Sequence, residues 1–328
     1  MMNDESNNDN ESRLRLRTID VISGYFDLTR LPNVFTAVAD VTMGFLIARP
    51  VGEAWIPSAR DLGAWAMLAA ASGLLYAAGV VLNDLFDIEH DRQSRPKRPL
   101  PSGRVSTDAA RRLGWGLLWA GVALGAGSGL FVGHLRPGVV AALLATAILL
   151  YNGWLKRTPL GPPAMGLCRM LNVMLGINAA DVPLEAGFWL VAGAIGVYVA
   201  GVTWFARRES QRSNPLQLAL ATTVMASGIA MLAWFPHLSD RVLPMLREET
   251  QQWYLLVGVL GLLIVWRCLR AVIDPTSVKV RMAVTQCVMS IIMLDAVACY
   301  AVHGVYWASL ILLLFIPAML LGRWIEVT

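Results

Sequence analysis

The chain has 328 residues, 56% of them hydrophobic and 15% charged, with a net charge of +4. Little is left between its apolar stretches, which excludes a soluble domain of useful size. The basic excess is distributed as an orientation signal and not as a nucleic-acid patch, so no nucleic-acid partner is expected.

Residues 1–12 are rich in Asn, Asp, Glu and Ser and lack the charged-then-apolar order of a signal peptide. Residues 13–30, with Arg13, Arg15 and Arg17 between leucines, suit the membrane face. The expected division is a polar disordered tail and interfacial segment over 1–27, then a transmembrane domain over 28–328. Apolar stretches recur at about 31–49, 63–82, 113–133, 137–154, 164–181, 187–206, 216–235, 252–272, 282–302 and 304–322, each near the roughly 20 residues that a spanning helix needs. They predict an all-α, polytopic transmembrane bundle of nine to ten spans. Of 27 Lys and Arg, 21 fall on one side of that alternation, five on the other, and Arg169 inside a span. By the positive-inside rule both termini and every basic loop are expected in the cytoplasm, in an integral multi-pass membrane protein (the inner membrane, if bacterial). The four cysteines have no CxxC or Cys/His spacing and read as small buried apolar residues.

The second stretch runs directly into Asn83-Asp84-Leu85-Phe86-Asp87-Ile88-Glu89-His90-Asp91-Arg92. On a helix the aspartates at i, i+3 and i+7 share an arc of roughly 60°. Carboxylates so placed repel unless a cation lies between them. Mg²⁺ is the natural one, because it is usually shared between a few carboxylates and substrate phosphates. Asp84, Asp87 and Asp91 are therefore the expected metal-binding and catalytic carboxylates, with Asn83 beside them. Arg92, Arg98, Lys156 and Arg157 are the expected partners of phosphate oxygens. Prolines 96, 99 and 101 and Gly103 make the following stretch a turn-rich loop. A membrane helix ending in such a cluster points to an enzyme holding a diphosphate at the membrane surface.

The pattern Asn83, Asp84, Asp87, Asp91, Arg92, then Arg98-Pro99-Leu100 and Gly103, resembles the first aspartate-rich motif of the UbiA family of intramembrane prenyltransferases. Arg30-Leu31-Pro32-Asn33 and Tyr151-Asn152 with Leu155-Lys156-Arg157-Thr158 and Gly161 are further matches. The resemblance implies a nine-helix fold with a cavity open laterally to lipid. It also implies Mg²⁺-dependent binding of an isoprenyl diphosphate and transfer of the prenyl group to an acceptor. The chain departs from the family after its sixth span, where several aspartates are usual. Here Phe205-Ala206-Arg207-Arg208-Glu209-Ser210-Gln211-Arg212-Ser213 keeps only Glu209. The expectation is one Mg²⁺ cluster, with arginines including Arg208 neutralising phosphate directly.

Other residues carry weaker signals. Arg169 is an intramembrane charge, which is costly and usually functional; a substrate-binding role stands beside pairing with a backbone carbonyl or Asp181. Asn33 is as fitted to helix packing as to substrate. Asp40 and Asp295 are intramembrane acids without an evident partner. Trp204, Phe205 and Tyr198 are candidates by position for stabilising a prenyl cation. The alternative to an enzyme is a non-catalytic member of the same fold that binds or transports a lipid or isoprenoid. The acceptor's identity is open.

Overall fold

The computed structural model describes residues 23–52, 55–207 and 213–322, and every regular element among them is helical. Each apolar stretch of the sequence falls in a helix. These are α1 (Leu31–Ile47), α2 (Ala59–Phe86), α3 (Ile88–Ser94), α4 (Thr107–Gly127) and α5 (Arg136–Gly153). Then follow α6 (Gly161–Ile177), α7 (Ala186–Ala206), α8 (Pro215–Ala233), α9 (Thr250–Ile273), α10 (Ser277–Leu312) and α11 (Phe315–Leu321). Seven helices among the described residues are long and apolar enough to cross a membrane, and α1 is a shorter apolar helix of 17 residues.

Local chemistry starts the helices. Ser58 and Asp61 form a capping box at α2, each side chain accepting the other's backbone N–H. Ser106 Oγ accepts from Ala109 N at α4, and Asn214 Oδ1 from Leu216 N at α8. Proline occupies the first turn of α1, α5, α6 and α8, where its missing donor costs nothing.

The last two apolar stretches are not separated by a loop. They share α10, which breaks at one residue, Gly304 (φ 76°, ψ −169°), a conformation open to a residue without Cβ. Beyond the break α11 packs against α1.

α6 packs against α1, α5 and α7. A Cβ on Gly176 would overlap the Val41 carbonyl of α1, and one on Gly166 the Gly196 carbonyl of α7. Glycine thus lets three backbones meet, and whatever α6 carries on its inner face is fixed against α1. The ends of α1, α2 and α5 that carry Arg30, Asp84 and Lys156 meet at one side of the bundle. Arg207, at the end of α7, joins them by donating to Thr158 O at 2.8 Å.

Candidate active site: a charged mouth over a membrane cavity

The helix carrying the aspartates does not run through them unbroken. α2 stops at Phe86, Asp87 lies at the junction (φ −99°, ψ 4°), and α3 begins at Ile88. Asp87 N still donates to Asn83 O, and Asp91 N to Asp87 O, so the three carboxylates remain on one side. The loop after α3 folds back because Leu100 and Val105 are buried with Leu28, Val81 and Ala110 in a small second core. That core and an Arg104–Asp27 ion pair (2.8 Å) set Arg98 over the aspartates.

Arg98 Nη1 lies 2.8 Å from Asp91 Oδ2 and 3.3 Å from Asp84 Oδ1. Arg30 Nη2 reaches the same Asp84 oxygen at 3.4 Å. Lys156 Nζ donates to Asp87 Oδ2 at 2.7 Å and to Asn83 Oδ1 at 3.0 Å. Arg157 Nη2 lies 3.3 Å from Asp87 Oδ1. Burial pushes the Lys156 ammonium below its ordinary range, against the opposing pull of Asp87. Arg30 is the one non-glycine among the described residues with a left-handed backbone (φ 44°). It caps α1 in that conformation, and its side chain crosses to α2.

Below this mouth is a cavity of about 480 Å³. Asn33, Asn83, Asp87, Asp91, Arg98 and Arg169 of the expected set line it. Asp84 is buried behind them and faces Arg30 and Arg98. Lys156 and Arg157 reach the site through Asp87. Arg92 is not brought to it: its guanidinium pairs with Glu89 at 2.7 Å on an exposed surface. Arg208 and Glu209 lie outside the described residues. Trp204, Phe205 and Tyr198 do not line the cavity, and Tyr198 donates instead to Cys287 O. Tyr76 and Tyr151 are the aromatic residues that do.

Sequence reading missed Arg30, Arg95, His90 and Asn152 as lining residues. It also missed the partner of Arg169, which is neither a backbone carbonyl nor Asp181. Arg169 Nη1 pairs with Asp40 Oδ2 at 2.7 Å, and Nη2 donates to Thr36 Oγ1 at 2.8 Å. Asp181 pairs with Arg136. Asn172 Nδ2 donates to Ala37 O and Asp40 Oδ2, and its Oδ1 accepts from Ser72. Asp295 of α10 faces Asp40, and both acids are fully buried.

Oxygen donors of the kind Mg²⁺ prefers are present at the mouth. Among the described residues, however, no three His, Cys, Asp or Glu side chains converge on one point. Two lining carboxylates, Asp87 and Asp91, match a Mg²⁺ whose remaining ligands are phosphate oxygens and water.

The UbiA prenyltransferase family model matches residues 37–292. A digeranylgeranylglyceryl phosphate synthase of Ignicoccus hospitalis is 37% identical over 139 residues, covering 42% of this chain and 41% of the relative. The chain thus matches less than half the length of the first of its curated relatives. An apo UbiA homologue from Aeropyrum pernix superposes with a TM-score of 0.59 at 19% identity, covering 81% of this chain and 97% of the other. One from Archaeoglobus fulgidus bound to GPP and Mg²⁺ gives 0.56 at 15%, covering 84% and 98%. These structures share the helical fold. With the family pattern matched over most of its length, the chain belongs to the UbiA prenyltransferase family.

Proposed function

We propose that the protein is an intramembrane prenyltransferase, moving an isoprenyl group from an isoprenyl diphosphate at the mouth to an acceptor in the cavity. The observation that carries this is a dense set of acids and bases seated directly on an apolar-walled cavity inside a membrane bundle. A diphosphate belongs in the first and a hydrocarbon chain in the second. The neighbour with GPP and Mg²⁺ supports the donor and the metal. The relatives named digeranylgeranylglyceryl phosphate synthase support an isoprenoid substrate.

Asp87 and Asp91, with Asn83, would hold Mg²⁺, which when bound neutralises charge on the departing diphosphate. Asp84 orients Arg30 and Arg98 through its shared oxygen. Arg30, Arg98, Lys156 and Arg157 turn their donors to phosphate oxygens as negative charge develops there. The faces of Tyr76 and Tyr151 meet positive charge on the allylic fragment. The cavity's aliphatic wall keeps water from that fragment. Asn33 and Arg169 stand deeper, where the acceptor lies. The partition of basic residues supports a mouth and both termini on the cytoplasmic side.

The test is incubation of the purified protein with Mg²⁺, labelled isoprenyl diphosphate and a membrane extract, reading diphosphate release and labelled product. Release that depends on Mg²⁺ and is lost in Asp87→Asn is expected. Binding of the diphosphate without release or product would leave a lipid-binding protein in place of an enzyme.

A further inference from the structure

The four cysteines are buried free thiols, and two of them meet. Cys268 of α9 and Cys287 of α10 hold their sulfurs 3.5 Å apart, in a thiol–thiol hydrogen bond that crosses the interface of the two helices. Neither lines the cavity, whereas Cys168 does. α9 and α10 form a hairpin through residues 274–276, and Lys279 pairs with Asp274 at 2.6 Å where it turns. Cys268 continues the buried stripe Val257, Gly261, Ile264 and Ala271 of α9. Cys287 belongs to the buried stripe Val280, Ala283, Val284 and Ile291 of α10. A thiolate finds no water in such an interface, but a disulfide carries neither charge nor donor and costs nothing to bury there.

The position of the pair ties it to the cavity. Val284, Val288 and Ile291 of α10 line the cavity and no described residue of α9 does, so α9 packs on the far side of α10. Val284 and Val288 flank Cys287 in the chain. Tyr198 of α7 donates to Cys287 O at 2.9 Å, and its neighbour Val199 lines the cavity as well. Closing the sulfurs to bonding distance shortens their separation by about 1.5 Å and draws α10 toward α9, away from the cavity. A gap of about 0.5–1 Å forfeits a quarter to a half of the dispersion attraction between the atoms that it separates.

We propose that Cys268 and Cys287 are a modification site, a thiol pair that an organic hydroperoxide converts to a disulfide across the α9–α10 hairpin, loosening the cavity wall that α10 carries. One sulfur attacks the terminal oxygen of the hydroperoxide. The O–O bond breaks, and the alkoxide leaves as an alcohol with the thiol's proton. The second sulfur attacks the sulfenic sulfur so formed, the S–O bond breaks, and water leaves with the second proton. The two thiols lose two electrons and the hydroperoxide gains them. The consequence for donor affinity rests on the prenyltransferase reading; the disulfide itself does not.

The test treats the full chain in nanodiscs with cumene hydroperoxide, which partitions into the bilayer. The protein is then unfolded, alkylated without reductant, digested and mapped by mass. A Cys268–Cys287 crosslink is expected in most of the chains, Cys168 and Cys299 should appear in no crosslink, and dithiothreitol should restore all four thiols. The crosslinked protein should bind geranyl diphosphate with Mg²⁺ at least about threefold more weakly than the untreated one, and recover on reduction. Cys268→Ala/Cys287→Ala replaces two small apolar side chains and should keep its affinity through the same treatment. Thiols that stay free at 268 and 287, or that oxidise separately without a crosslink, overturn the site. A crosslinked protein of unchanged affinity overturns its coupling to the cavity. Failure of the untreated protein to bind geranyl diphosphate would instead remove the prenyltransferase reading, and the peptide map still decides the thiol pair.

Discussion

Replacing Arg169 with methionine should be among the most destabilising single changes in the bundle. The side chain is 8% exposed and Asp40 is not exposed at all. The substitution removes a 2.7 Å ion pair and leaves Asp40 with Asn172 at 3.3 Å and the equally buried carboxyl of Asp295. Breaking a buried pair from one side typically costs about 3–5 kcal/mol, because the remaining charge stays buried. Removing both charges as Arg169→Met/Asp40→Asn should return stability to within about 1 kcal/mol of wild type. Asp40→Asn alone should be milder than Arg169→Met, since Asp295 remains beside the guanidinium. The cycle therefore predicts a coupling energy of at least about 3 kcal/mol. Reversible unfolding of all four proteins in mixed micelles, titrated with sodium dodecyl sulfate, measures it. An Arg169→Met protein within about 1 kcal/mol of wild type, or single effects that simply add, would refute a charge pair closed off from water.

Asp87→Asn should abolish Mg²⁺-dependent retention of labelled isoprenyl diphosphate while the protein keeps its gel-filtration profile; undiminished retention would remove Asp87 from the metal site. Arg30→Gly should relieve a left-handed backbone worth about 1 kcal/mol yet weaken diphosphate binding by about tenfold, so stability and affinity should move in opposite directions. Parallel losses in both measurements would mean that Arg30 serves only the fold. For topology, a cysteine at Ser102 should react with an impermeant maleimide only after the cytoplasmic face is opened, and one at Pro57 before it. The reverse order would invert the assignment.

The helical bundle was legible because most of its helices are apolar runs near spanning length, a signal that needs no partner to be read. The mouth was legible for a related reason: Asn83 to Asp91 and Lys156-Arg157 are short patterns whose chemistry is local. What sequence could not supply was facing. Asp40, Arg169 and Asp295 were each visible as an intramembrane charge, but they sit on α1, α6 and α10, and nothing in a linear pattern says which helices turn toward one another. The glycine contacts at Gly166 and Gly176 that bring α6 against α7 and α1 are legible only once the backbones are in place. Arg92 shows the converse error. Its neighbours in the motif point inward, but the short turn of α3 carries it to the exposed side with Glu89. Arg30 looked like part of a helix start, and its reach across to Asp84 follows from a backbone angle.

The pairing at the mouth has a consequence for how ligand enters. Each aspartate of the motif has a cationic partner drawn from the chain, so the side chains of the mouth form a salt among themselves. Were a magnesium diphosphate bound there, Asp87 and Asp91 would exchange ammonium and guanidinium for the metal, and the freed bases would turn to phosphate. Little net charge is created at the membrane surface by that exchange. Entry then resembles ion exchange on a resin more than adsorption onto a bare charged patch. Added salt should accordingly weaken binding less than the number of charged groups at the mouth would suggest.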